Sequence, residues 1–328
     1  MAKESNTINF IRSLHTPAVR HLAGAVFSEP LLHMLSRGPS GGGLAETPCL
    51  EKKEHHQVHP FPLDDKQRNW LHEIDKQPQT LLQFIAARGN HKLGLYHEQL
   101  WQYFLHCNDS TQLLASNLAV RDKQRSLGEF DILYQHSELG TVHLELASKY
   151  YLVDPPAPDN STEWRGWLGP GGRDRLDLKL EHCLKKQIAL ADHPVAQQTL
   201  QDKLGLTTAT HSLSKQLHIG GRLFYPFANS TTLLDAPRQL NPLHQRGCWL
   251  RLQQWQQLCR EQAFDRHPLQ KLDWLDSGAD RPQNNDKEKV FRTDQSIAPP
   301  QLFLCHGEPF GQRPQYCLVV TDEWPAET

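Results

Sequence analysis

The chain has 328 residues, 38% hydrophobic and 22% charged, with a formal net charge of −2. That length supports one large domain or two small ones around a buried core, and that balance is ordinary for a globular protein with no global basic footprint for nucleic acid, although an acidic metal site can mask a local basic groove. Seven cysteines, at positions 49, 107, 183, 248, 259, 305 and 317, never come closer than eleven residues, which excludes a zinc or thioredoxin-like motif and predicts free thiols in a reducing cytoplasm.

The first residues, MAKESNTINFIRSLHTPAVRHL, have no basic region leading into a continuous apolar core. No later stretch reaches the roughly 18 apolar residues of a membrane span. A cytoplasmic protein without membrane contact is expected, and nothing in the sequence sets its oligomeric state. Residues 8–36 carry Ile11, Leu14, Val19, Leu22 and Val26, then Leu31, Leu32, Met34 and Leu35, at mixed helical spacing, with Pro30 predicted to open a second short helix. The glycine run in RGPSGGGLAETPCLEKKEHHQ has no strand before it and no Lys-Ser/Thr after it, so it is expected to be a linker rather than a phosphate loop, with disorder near 38–58.

Helices are predicted over 64–76, 78–88 and Leu93–His106. In the last, Leu93, Tyr96, Leu100 and Phe104 form an apolar stripe, and Glu98 shares a face with Trp101 and Leu105. Residues 127–152 then alternate like two strands around a turn at Ser137–Gly140. Glu129, Asp131, Leu133 and Gln135 share one face of the first strand, opposite Phe130, Ile132 and Tyr134. His143, Glu145, Ala147 and Lys149 share a face of the second, opposite Leu144, Leu146, Ser148 and Tyr150. One face is polar and the other oily, so Phe130, Ile132, Leu144 and Leu146 are expected to meet a buried helix. The turn sets Asp131 beside, or one step diagonal to, Glu145. Cross-strand Cβ atoms lie about 4.5–5.5 Å apart, so both carboxylates can reach one divalent cation, and without one they repel. Lys149 is the nearby candidate to offset that repulsion.

Beyond a loop with three prolines, Leu176, Leu180, Cys183, Leu184, Gln187 and Ala191 make one helical face behind a glycine-rich turn carrying Arg173 and Arg175, whose exposed N–H groups could hold a phosphate. Gln187 and Lys179 border the apolar side and could line the cleft beside Glu145. Trp164 and Trp167 are read as core anchors before base-stacking platforms. A strand over 220–227, a helix over 248–263, a polar loop over 276–289 and strands over 301–306 and 315–321 complete the chain.

The sequence of helix, acidic hairpin, helix and strand resembles the PD-(D/E)XK nuclease superfamily, whose hairpin supplies acids and a lysine that bind Mg²⁺ and activate water. Gly128-Glu129-Phe130-Asp131 looks like the G-x-x-D element of its RecB-like branch. A closer resemblance covers almost the whole chain: HTPAVRHLAGAVFSEPLL, LGLYHEQLWQYFL, GEFDILY, HLELASKYYL, WLGPGGRDRLDLKL, GRLFYPF and LNPLHQRGCWLR together look like an uncharacterised bacterial family, domain of unknown function 1853. These resemblances imply an α/β fold with a restriction-endonuclease-like core (helix, three strands, helix, strand; a central mixed sheet flanked by helices) over 61–230, after an N-terminal helical arm and linker over 1–60 and before an α+β extension over 231–328.

The resemblance also implies site roles. Asp131 and Glu145 would hold Mg²⁺ or Mn²⁺, Glu98 would assist directly or through water, and Lys149 would position or activate water and steady the phosphate. Arg173, Arg175, Lys179 and Gln187 would face the phosphate backbone of DNA or RNA. One departure stands out. The usual E-x-K spacing puts both side chains one pleat apart, about 6.6–7 Å, whereas Glu145 and Lys149 are two pleats apart, roughly 13 Å, with Ala147 at the usual lysine position. A bulge in the strand would shorten that gap. The two leading expectations are therefore a metal-dependent phosphodiesterase and a catalytically inactive descendant that binds nucleic acid or a protein partner, with a small-molecule hydrolase as the third.

Overall fold

The computed structural model describes residues 6–32, 35–36, 55–56, 61–89, 92–153, 164–207, 213–227, 237, 240–278 and 298–325. The expected linker near 38–58 apart from 55–56, the three-proline loop, and all of the 276–289 loop beyond 278 lie outside the described residues. After a short α1 (Asn6–Ser13), Pro17 opens α2 (Pro17–Phe27), its fixed φ suiting a first helical turn. Every residue of α2 from Ala18 to Phe27 is buried, so this helix is core all round. Pro30 opens no helix. The backbone around it is spent on other partners instead: Leu31 N–H donates to Ile219, Asn241 N–H donates to Leu31, and Leu32 bridges Leu240. Two short strands, β1 (Leu35–Ser36) and β2 (His55–His56), pair antiparallel.

Three helices then follow as the spacing predicts. α3 (Asp65–Lys76) starts where the Asp64 carboxylate accepts the Gln67 N–H, and α4 (Gln79–Ala86) and α5 (Leu93–Cys107) come after it. The sheet begins with β3 (Thr111–Asp122), β4 (Arg125–His136) and β5 (Gly140–Val153), an antiparallel meander. β6 (Trp167–Leu168) pairs with the end of β5. A broken helical run then crosses over: α6 (Leu176–His182), a π turn (Cys183–Gln187), a 3₁₀ segment (Ile188–Asp192) and α7 (Pro194–Leu204). It delivers β7 (Leu213–Pro226) parallel to β5. β8 (Arg246–Arg251), α8 (Leu252–Glu261), β9 (Asp265–Pro268), a 3₁₀ turn (Lys271–Leu275), β10 (Gln301–Gly307) and β11 (Gly311–Val320) complete the chain.

The strands line up as β3-β4-β5-β7-β8-β11-β10-β9, parallel from β5 to β11 and antiparallel at both ends. The architecture is mixed α/β with a central sheet flanked by helices. Ile132, Tyr134, Val142, Leu144 and Leu146 pack against α1, α2 and α5 on one face. On the other, Ala147, Tyr151 and Val153 pack against Leu176, Leu180, Cys183 and Ile188. Trp164 and Trp167 are buried in that second layer as core anchors.

Three local expectations change. β5 is buried on both faces from Thr141 to Ala147, so its polar face is not a solvent face. Phe130 packs with Val120, Leu133, Leu190 and Ala196 against α7 rather than beside Ile132, because β4 stops pairing with β5 at Ile132 and turns about Asp131. The predicted helix over 248–263 begins only at Leu252. Cys248, Trp249 and Leu250 are buried in succession between β7 and β11, where a strand covered on both faces fits and a one-sided helix does not. Among the described residues no helix is long and apolar enough to cross a membrane, and the six described cysteines are free.

Candidate active site

The β4–β5 ladder runs from His136 opposite Gly140 to Ile132 opposite Leu144 and then stops. One step further in the same register Asp131 faces Glu145, as the turn predicts. The main chains no longer pair there; the Asp131 carboxylate itself accepts the Leu146 N–H at 2.9 Å. The β3 side of Asp131 is irregular too. Ser116 pairs with Ile132 and Leu118 with Phe130, while Asn117 between them takes a left-handed φ of 50°. Asp131 therefore sits where β4 has let go of one neighbour and strained the other.

Glu145 is 1% exposed. One of its oxygens accepts from His143 Nε2 at 2.6 Å and the other from Gln187 Nε2 at 2.8 Å. His143 is fully buried, edge-on to Phe130, and burial holds its imidazole neutral, down at about 3. Its Nδ1 has no hydrogen-bond partner among the described residues, which leaves the proton on the Nε2 that faces Glu145. Gln187 reaches the same carboxylate because of the π turn. Ile188 N–H bonds back five residues to Cys183, and the extra residue keeps both Cys183 and Ile188 in the core while Gln187 points at the strand.

The electrostatics follow from burial. Asp131 is pushed up to about 7, first by desolvation and then by the adjacent Glu145 charge. Glu145 is likewise pushed up to about 7 by desolvation, with Glu129 and Glu98 adding to the rise. The two carboxyls act on each other, Glu145 raising Asp131 and Asp131 opposing the rise of Glu145, so they titrate as a pair. Glu98, half-buried on α5, accepts from Asn117 Nδ2 at 3.0 Å, and its pKa is raised by burial and by the charges of Asp131 and Glu129.

Lys149 lies on the same face of β5 as Glu145. The β5–β7 ladder is in unbroken register from Thr141 to Leu152, so no bulge shortens the two-pleat gap. Opposite Lys149, Gly221 has φ 121° and passes so close that a Cβ would fall 1.8 Å from the Lys149 carbonyl oxygen, which only glycine allows. The ammonium is half-buried and makes no ion pair among the described residues. Burial and the neighbouring Lys179 lower its pKa, against Asp174. Cys183 links the two halves of the site, its buried thiol feeling Lys179 and Lys149 from one side and Glu145 and Asp131 from the other. Arg173 is exposed, and Arg175 is held in a bidentate pair by Asp177 at 2.5 and 3.0 Å.

Asp131 and Glu145 offer hard oxygen donors of the kind Mg²⁺ and Mn²⁺ take, and a cation there would favour the charged forms that burial and neighbouring acids disfavour. Among the described residues no group of three or more His, Cys, Asp and Glu side chains gathers in metal-binding geometry. The donor set thus fits a cation held by one or two carboxylates with its remaining positions open, not an all-protein cage. His143, Asn117 and Cys183 are the site residues that sequence patterns do not mark out. His143 was visible only as a polar residue two places before Glu145.

Fold and site together define a mixed α/β protein with a buried acidic pair at a split in its sheet. Residues 20–309 match the family model described as Domain of unknown function (DUF1853), and the chain belongs to that family. It matches no curated protein and no solved structure.

Proposed function

We propose that the protein is a metal-dependent phosphodiesterase, a nuclease acting on DNA or RNA, built on a restriction-endonuclease-like core. The observation that carries this reading is the Asp131–Glu145 pair: two buried acids facing each other across β4 and β5, Glu145 oriented by His143 and Gln187, with no cationic side chain paired to either among the described residues. The order α5, then β3–β4–β5, then a helical crossover to a parallel β7 supports the same reading of the core.

Asp131 and Glu145 would hold Mg²⁺ or Mn²⁺, which when bound supplies Lewis acidity toward a phosphate oxygen. His143 and Gln187 fix the Glu145 carboxylate in one orientation. Glu98, through water, extends the acidic edge. Lys149 and Lys179, two neighbouring ammoniums, would steady phosphate charge. Arg173 adds a surface contact to the nucleic-acid backbone, and Arg175 does so only by loosening its hold on Asp177. The free thiols suit a cytoplasmic setting.

A second reading has its own support. The unbulged β5 leaves Lys149 two pleats from Glu145, with Ala147 at the usual lysine position, as in a descendant of the fold that binds nucleic acid or a protein and has lost catalysis. Labelled single- and double-stranded DNA and RNA, incubated with Mg²⁺ or Mn²⁺, separate the two. The proposal expects cleavage by wild type, loss in Glu145→Gln, and loss in Lys149→Ala with metal binding retained. Binding without cleavage by wild type favours the inactive descendant.

A further inference from the structure

Asn117 is the residue in the middle of β3 that no strand propensity explains. It is one of two non-glycine residues in the described chain with a positive φ, and the other, Lys123, lies in the β3–β4 turn, where such a backbone is ordinary. Asn117 instead lies inside a ladder, between the paired residues Ser116 and Leu118. The left-handed region is costly for a non-glycine residue, and asparagine is among the few side chains that tolerate it. Such strain persists only where its surroundings enforce it.

Two facts show what the strain achieves. The register puts Asn117 opposite Asp131, the point at which β4 also leaves β5. The side chain of Asn117 donates to Glu98 at 3.0 Å, joining the edge strand β3 to α5. Without that bond Glu98, whose carboxylate feels Asp131 and Glu129, would swing away from like charges toward solvent.

We infer that Asn117 is a positioning residue, its strained backbone and amide together holding the Glu98 carboxylate on the Asp131 side of α5, where it would support through water a divalent cation held by Asp131 and Glu145. This rests on the metal-dependent reading above and deepens it. It assigns Glu98 its place through a neighbour rather than through the helix that carries it. Asn117 itself touches neither cation nor phosphate.

Glycine separates this role from mere accommodation of the turn, because it takes the left-handed backbone without strain but offers no amide. Calorimetric titration of Mn²⁺ into the full chain should show Asn117→Gly binding about tenfold more weakly than wild type, the size of effect typical when an outer support of a metal ligand is lost. Its melting temperature should be equal or higher. Glu98→Gln should weaken binding to a similar degree, and the double variant Asn117→Gly/Glu98→Gln should be no weaker than Glu98→Gln alone. Asn117→Asp, which keeps the backbone tolerance but sets a charge against Glu98, should lose at least as much affinity as the glycine variant and serves if the latter fails to fold. Wild-type affinity in either Asn117 variant overturns the inference and leaves the metal reading intact. Absence of Mn²⁺ binding by wild type overturns both.

Discussion

Two buried charged pairs in this molecule are built on opposite terms. Arg20 on α2 and Asp276 near the C-terminal 3₁₀ turn, 5% and 3% exposed, join at 2.8 Å across 256 residues of sequence, and the guanidinium also donates to the carbonyls of Leu14 and His15. Asp131 and Glu145, 7% and 1% exposed, are two acids with no cationic partner among the described residues. The first pair is satisfied and closes a joint between the two ends of the chain. The second is oriented by neutral donors that do not neutralise it, while burial first, and neighbouring acids after it, raise both pKa values, a demand that a cation would meet. Both pairs are buried; what separates them is the sign of the neighbouring charge.

Breaking each pair should therefore have opposite results. Arg20→Ala leaves Asp276 buried and uncompensated and should cost about 3–5 kcal/mol in denaturant unfolding, the largest effect expected here. Asp131→Asn keeps an oxygen for the Leu146 N–H and removes one of two repelling charges, so at pH 8 without metal it should be more stable than wild type by about 1–3 kcal/mol. A destabilised Asp131→Asn would make the acidic pair structural, like Arg20 and Asp276.

The pH dependence sharpens the same contrast. Folded Asp131 and Glu145 bind their protons more tightly, near pH 7, than unfolded carboxyls, near pH 4. The stability linked to them is full below the unfolded value and is lost as pH rises through about 7. Buried His143 and His97, held down at about 3 and about 4, run the other way: what they contribute is present above their unfolded value and is lost as pH falls toward the folded one. The comparison that isolates the acids is the difference between wild type and Asp131→Asn. The advantage of the variant should shrink from pH 8 to pH 5, and a constant difference would contradict the shifted acids.

The alternation of residues 127–152 made the hairpin, its register and the opposition of Asp131 to Glu145 legible, because a period of two with a short turn leaves few pairings. Glu98 was legible as a helix residue, though not its anchor. Three features were hidden for physical reasons. His143 sits on a face that polarity marks as wet, yet it is fully buried with its ring edge-on to Phe130, which no local pattern encodes. The π turn at Cys183–Gln187 depends on packing Cys183 and Ile188 into one layer, so the sequence looks like an uninterrupted helix. Trp249, Leu252, Trp255 and Leu258 recur every three residues straight through the end of β8, and helical spacing thus masks a strand that only its parallel neighbours define.

The most direct test of the acidic pair is a calorimetric titration of Mn²⁺ into wild type and Asp131→Asn at neutral pH. Wild type should give a saturable isotherm, accompanied by proton release as the raised carboxyls ionise, and the folded variant should lose it. No saturable binding by wild type, or the same isotherm in both proteins, would contradict a cation site at the acidic pair.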